Sequence, residues 1–223
     1  TGVAVSGMTV IGGVSTGNIT LAAVTLADGA GLTVGGNTAS DISVASVAGA
    51  AGNAVSDLTF NTAGTVTVSG NVGTDIGTLT LTRGEGVTFQ GTVDAGSLTI
   101  ANDVAVATKV LAFEDNITLS TGMTVGTGSF DMSFTGASNS IASNTTFANT
   151  GTVTLGDATG DTIEFTGGLT ATAPAKVVTA GTVQTSSAVM TLGTVQMSAD
   201  TTLNTVNSPG ANITIGTLSG TDD

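Results

Sequence analysis

Apolar and polar residues alternate along this chain in short bursts separated by turn-forming residues. Between residues 79 and 119 the same alternation returns as Leu79-Thr80-Leu81, Leu98-Thr99-Ile100 and Ile117-Thr118-Leu119, each 19 residues after the last. Val87-Thr88-Phe89 and Val104-Ala105-Val106 lie between them. A period of two sends alternate side chains to opposite faces of a strand. Leu79, Leu81, Leu98, Ile100, Ile117 and Leu119 are therefore expected to point inward and to stack from one repeat to the next. Comparable runs occur at residues 3–5, 8–11, 19–26, 32–34, 42–47 and 58–60, and continue to 213–215. Gly-Asn, Asp-Gly, Ser-Gly and Asn-Thr pairs separate them; these residues tolerate positive φ or bond their own backbone, and so make corners.

No stretch shows the 3.6-residue period of a helix. Two all-β architectures remain. An antiparallel sandwich wants strands of about 5–6 residues joined by hairpins and usually a few large aromatics. A β-solenoid stacks coils of short strands in parallel, and a repeat near 20 residues fits one coil with three short faces. Short strands, a near-regular step and few aromatics favour an all-β solenoid of roughly 19–22 residues per coil. Ten or eleven coils at about 4.8 Å each predict a rod of about 50 Å. Residues 1–223 are expected to form a single domain, because no linker or charge run divides them. Asn18-Ile19-Thr20-Leu21, Asn116-Ile117-Thr118-Leu119 and Asn212-Ile213-Thr214-Ile215 suggest internal duplication, with Asn18, Asn116 and Asn212 stacked in amide ladders at equivalent corners. Pro174 and Pro209 are expected at corners, since proline cannot sit in a central strand.

Composition sharpens this picture. The chain holds 33 Gly, 7 Phe, and no Trp, Tyr, His or Cys, so an aliphatic core of Val, Leu, Ile and Ala is expected. Arg83, Lys109 and Lys176 are its basic residues, against 16 acidic ones, for a formal charge of −13. Without a basic footprint, neither nucleic acid nor an anionic membrane surface is an expected partner. No apolar run approaches the ~20 residues of a membrane-spanning helix, and aromatic girdles of a spanning barrel are missing, so no membrane insertion is expected. The absence of cysteine leaves the redox compartment open. Residues 1–5 carry no Met start and no signal peptide, which suggests a processed product or an excised segment.

Around Val189-Met190-Thr191-Leu192 the chain continues through Ala199-Asp200-Thr201-Thr202-Leu203 to Asn212-Ile213-Thr214-Ile215. Glu114-Asp115-Asn116-Ile117-Thr118-Leu119 and residues 149–155 share the style. These stretches resemble the repeats of filamentous-haemagglutinin-type and autotransporter-type surface proteins of Gram-negative bacteria. The resemblance implies a right-handed parallel β-helix that is secreted and that serves as an adhesin, stalk or filament at the bacterial surface. The family's N-terminal secretion domain and C-terminal anchor are not in this sequence, which fits an internal segment or a self-assembling subunit. The implied partners are neighbouring coils of a longer chain or further copies stacked head to tail, together with a host or cell-surface ligand. Val3, Val5, Ile213 and Ile215, in the uncharged first and last stretches, are the candidates for end-to-end contact.

Chemistry beyond scaffolding has few candidates. Asp157, Asp161 and Glu164 form the densest acidic cluster; Glu114 with Asp115, and Arg83 with Glu85, are others. General acid–base work on a polysaccharide would need two convergent carboxyls, and sugars usually also find an aromatic platform. A carbohydrate-active β-helix enzyme is therefore the weaker alternative, and no catalytic residue and no cofactor are expected. A calcium-dependent surface-array subunit is the other alternative. Gly156-Asp157-Ala158-Thr159-Gly160-Asp161 offers two carboxylates to a hard cation, Asp157 and Asp161, but lacks the spacing of an EF-hand loop. Asn18, Asn116, Asn144 and Asn212 match the Asn-x-Ser/Thr acceptor pattern, a frequent coincidence in threonine-rich sequence.

Overall fold

A computed structural model of the chain describes residues 2–104, 110–206 and 211–220. Lys109, Pro209, residues 221–223 and part of the alternation at Val104–Val106 lie outside them. Among the described residues there is no helix; 22 strands, all paired in parallel, form a β-solenoid of about nine turns. Nine steps of about 4.8 Å make a rod of roughly 43 Å, slightly shorter than expected. The difference comes from coil length. Val177 pairs with Val195 and Gly31 with Asp57, so a turn takes anything from 18 to 26 residues. The extra residues sit in corners such as residues 50–55, while the stretch of strand on any one face stays short.

Each turn visits three faces in order. On the first face, inward residues form a column in which Val3 pairs with Val24, Val24 with Val47, Val47 with Val72, Val72 with Val93 and Val93 with Ile117. On the second, Leu32, Leu58, Leu79, Leu98 and Met123 follow one another. On the third, Ile42, Val66, Val87, Leu111, Met132, Val153 and Val177 do. Strands often bend through a corner without ending: Met190–Val206 pairs on all three faces in turn.

All six residues of the 19-residue pattern are buried, but they do not share one column. Leu98 stacks on Leu79 and Ile100 on Leu81, whereas Ile117 pairs with Val93 and Leu119 with Ala95, on the first face. What continues the Leu98 column is Met123, and Val125 continues that of Ile100. The alternation recurs on every face, so an equal step can join two different faces. The Asn-Ile-Thr echoes show the same thing. Ile19 stands on the third face, Ile117 on the first and Ile213 on the second, so these echoes are not equivalent positions of a duplicated block. Their asparagines build no amide ladder either. Asn18 Oδ1 accepts the Asp41 N–H at 3.3 Å and Asn116 Oδ1 that of Ser138 at 2.8 Å. Aspartates do the same: Asp41 accepts from Thr65, Asp57 from Thr78 and Asp131 from Thr152, at 2.8, 2.9 and 2.6 Å. A corner carboxylate or amide thus clips the next coil where the ladder itself turns away. Pro174 lies, as expected, in the bend between Leu169–Ala171 and Lys176–Ser186.

The core is not purely aliphatic. All seven phenylalanines are buried, and six of them touch in series from Phe60 to Phe165. On the third face Phe89, Phe113 and Phe134 pair rung by rung, which sets their rings 5.2 Å apart and within 12° of parallel. Stacking coils force identical side chains into offset-stacked contact, a geometry that aromatic quadrupoles favour.

Outward columns differ between faces. The first face reads Thr25, Ala48, Gly73, Asp94 and Thr118. The third mixes Ser43, Thr67, Thr88, Ala112, Ser133, Thr154 and Val178. On the second, Thr33, Thr59, Thr80, Thr99 and Thr124 are paired in succession, and so are Thr146, Thr170, Thr191 and Thr214.

Phe113→Ala should cost about 3–5 kcal/mol, because it removes a ring held between two others. Gly35→Ala should also destabilise: its φ is +112° and an added Cβ would run into the Asn61 carbonyl. The strain alone is about 1–3 kcal/mol. Urea and thermal melts followed by circular dichroism check both, and an unchanged midpoint for Phe113→Ala would show that the ring stack contributes nothing to stability.

Candidate functional site

The loop 156–161 connects Thr152–Leu155 on the third face to Thr162–Phe165 on the first. It does bring Asp157 and Asp161 together. Asp161 is buried, and its Oδ2 accepts the backbone N–H groups of Asp157 and Ala158, both at 2.9 Å. Its own N–H donates to the Ala158 carbonyl, and its carbonyl accepts from Thr182 of the next coil. The carboxylate is therefore committed to closing its own loop, which is the local role of an aspartate in a tight turn. Asp157 is exposed beside it. Partial desolvation, the hydrogen bond with Asp161 and that neighbour's charge push the Asp157 carboxyl above its ordinary range, and its own backbone hydrogen bond partly offsets this. Glu164 stands apart on the outer side of the first face, between Ser140 and Gln184, with buried Ile163 and Phe165 on either side of it in the strand.

The other acidic and basic candidates are dispersed. Asp115 Oδ1 accepts the N–H of Asn116, and Arg83 Nη1 donates to Asn37 Oδ1 at 2.8 Å. Among the described residues no three Asp or Glu side chains gather as a metal would require.

A surface groove of about 530 Å³ lies on the first face, lined by Ser46, Ala48, Gly70, Asn71, Gly73, Thr74, Thr92 and Asp94. Its floor is the stretch of outward column where Ala48 and Gly73 offer almost no side chain. Asn71 forms part of one wall and accepts the Thr92 N–H at 3.2 Å. At the opposite corner Thr74 and Asp75 both adopt left-handed backbone, φ 55° and 61°. Gly49 permits that corner, since a Cβ there would lie 2.6 Å from the Asp75 carbonyl oxygen. Asp75 Oδ2 is buried next to the groove without a hydrogen-bond partner. The rim offers hydroxyls, one amide and one carboxylate, a set suited to a neutral hydroxylated ligand. Sequence reading missed this groove because its residues come from three successive coils and no motif joins them.

The terminal coils carry much of the exposed apolar surface. Met8, Val10 and Val14 are exposed in the first turn, Ile213 and Leu218 in the last. Of the residues expected at the ends, Val5 packs into the core, Val3 and Ile215 are half-buried, and Ile213 is exposed.

No family model, no curated protein and no solved structure matches the chain.

Because the Asp157 pKa is raised in the folded state, the native protein binds the extra proton more tightly than the unfolded chain. Stability should fall as pH rises from the ordinary aspartate value, 3.8, through the raised one. Asp157→Asn should flatten that part of the profile and leave the rest unchanged, as melting temperature against pH would show.

Proposed function

We propose that this chain is a non-catalytic, structural or adhesive rod at the outside of a bacterial cell. The observation that carries the reading is the parallel coil of about nine turns that the described residues form, with half-buried or exposed apolar rungs in its first and last turns. A parallel strand edge presents unpaired N–H and C=O groups, and further coils are its natural cover. Those coils belong either to a longer chain or to a second copy stacked head to tail. Such a contact is heterologous and propagates into a filament unless it closes. The acidic, cysteine-free surface suits an exposed, soluble rod. Asp161 is used within its own loop, which supports a structural role for the acidic cluster. The first-face groove is the recess that fits a cell-surface ligand.

Two experiments test the reading. Incubation with a panel of neutral and acidic polysaccharides, read by reducing ends, should show no cleavage. Turnover that disappears in Asp157→Asn or Asp161→Asn would replace the rod by an enzyme. Electron microscopy at rising concentration, with calcium and with chelator, should show end-to-end strings in both. Strings that form in calcium alone would favour a surface-array subunit.

A further inference from the structure

We infer that the second face is a lateral interface on which a second copy of this rod docks, side by side. The first ground is a contrast between faces. Strand propensity favours threonine on the outer side of any sheet, and it acts alike on all three faces. Yet the first face mixes threonine with alanine, glycine and aspartate, and the third mixes it with serine, alanine and valine, whereas the second repeats threonine at every paired rung from Thr33 to Thr124 and from Thr146 to Thr214. Propensity alone does not account for that difference; a surface that must meet a regular partner does.

A second ground is the placement of exposed apolar side chains. Val10 continues the threonine column into the first turn, opposite Thr33, and is 64% exposed. Met8, on the same strand, is 84% exposed. Val189, just before the Met190 rung, is 52% exposed. Apolar side chains thus border the threonine column in the first turn and again in a late one, where a covering surface would bury them.

Charge and spacing identify the occupant. A rod of charge −13 repels its copies everywhere except where charge is absent. The threonine column has none, and the flanking Asp57 and Arg83 are held at strand ends by Thr78 and Asn37. The column repeats at the coil spacing of about 4.8 Å, and a second copy repeats identically, so methyls and hydroxyls of one ladder fit between those of the other. A face of about 43 Å by 10–13 Å covers roughly 1,000 Å² over both partners, at the lower limit of a specific interface. The pair should therefore be reversible, and a two-fold arrangement closes it at two copies.

The proposal rests on the rod reading but differs from end-stacking, and sedimentation velocity over the micromolar to millimolar range separates the two. The wild-type chain should show a concentration-dependent step to a dimer. Thr99→Glu with Thr124→Glu places two charges mid-column and should abolish that step. Thr67→Glu with Thr88→Glu adds the same charge on the third face and should leave it intact. Melting temperatures of both variants exclude misfolding as the cause. The chain has no cysteine, so Thr99→Cys with a short bifunctional thiol reagent should yield crosslinked dimer, and Thr88→Cys should not. A monomer at every concentration, or equal loss in both charge variants, overturns the lateral interface. An open-ended series of polymers indifferent to the second-face changes also overturns it, while leaving end-stacking in place.

Discussion

Everything in this molecule depends on each coil finding its backbone partners in the coils above and below. A strand of three or four residues has no stability alone, and its hydrogen bonds run to another turn of the chain some twenty residues away. The inward side chains pair by the same rule. Val24, Val47, Val72 and Val93 form a column because their peptide groups are already in register. Packing follows pairing, and stability resides in the interfaces between turns.

The corners are where this arrangement is at risk, because there the backbone leaves the ladder and its polar groups lose their regular partners. The chain meets this with short polar side chains that reach one turn along. Asn18, Asp41, Asp57, Asn71, Asn116 and Asp131 each accept a backbone N–H from the following coil. Buried threonines satisfy the carbonyls in the same way. Thr38 donates to the Thr16 carbonyl and Thr62 to that of Ser40, at 2.6 and 2.5 Å. Asn139 stands inside a hydrophobic column, and both ends of its amide are engaged, by the Ile117 N–H and the Gly136 carbonyl. Asp161 obeys the same logic. Its carboxylate closes a loop by accepting two of that loop's own N–H groups.

Function in such a fold belongs to surfaces, because the interior is consumed in holding the turns together. The three faces are built from one repeating strand yet differ outside. One carries a groove where Ala48 and Gly73 thin the wall, one is a mixed polar surface, and one is a threonine ladder with apolar residues at its margins. A rod with distinct sides can hold a ligand on one, a neighbour on another and solvent on the third.

The alternation, the short strands, the absence of helix among the described residues, and the burial of Leu79, Leu81, Leu98, Ile100, Ile117 and Leu119 were all legible in the order of residues. Those are local properties: a period of two and a choice of β-branched residues say which side chains face inward, whatever the strand pairs with. Which face each strand joins emerged only from the folded coil. That assignment depends on the length of every preceding corner, and corners vary enough that Leu98 and Ile117, an equal step apart, end on different faces. The phenylalanine stack and the first-face groove were illegible for the same reason. Each is settled by where the chain turns and which coil it then meets, and the chain length of a coil is fixed by how loops close, not by any pattern the residues display.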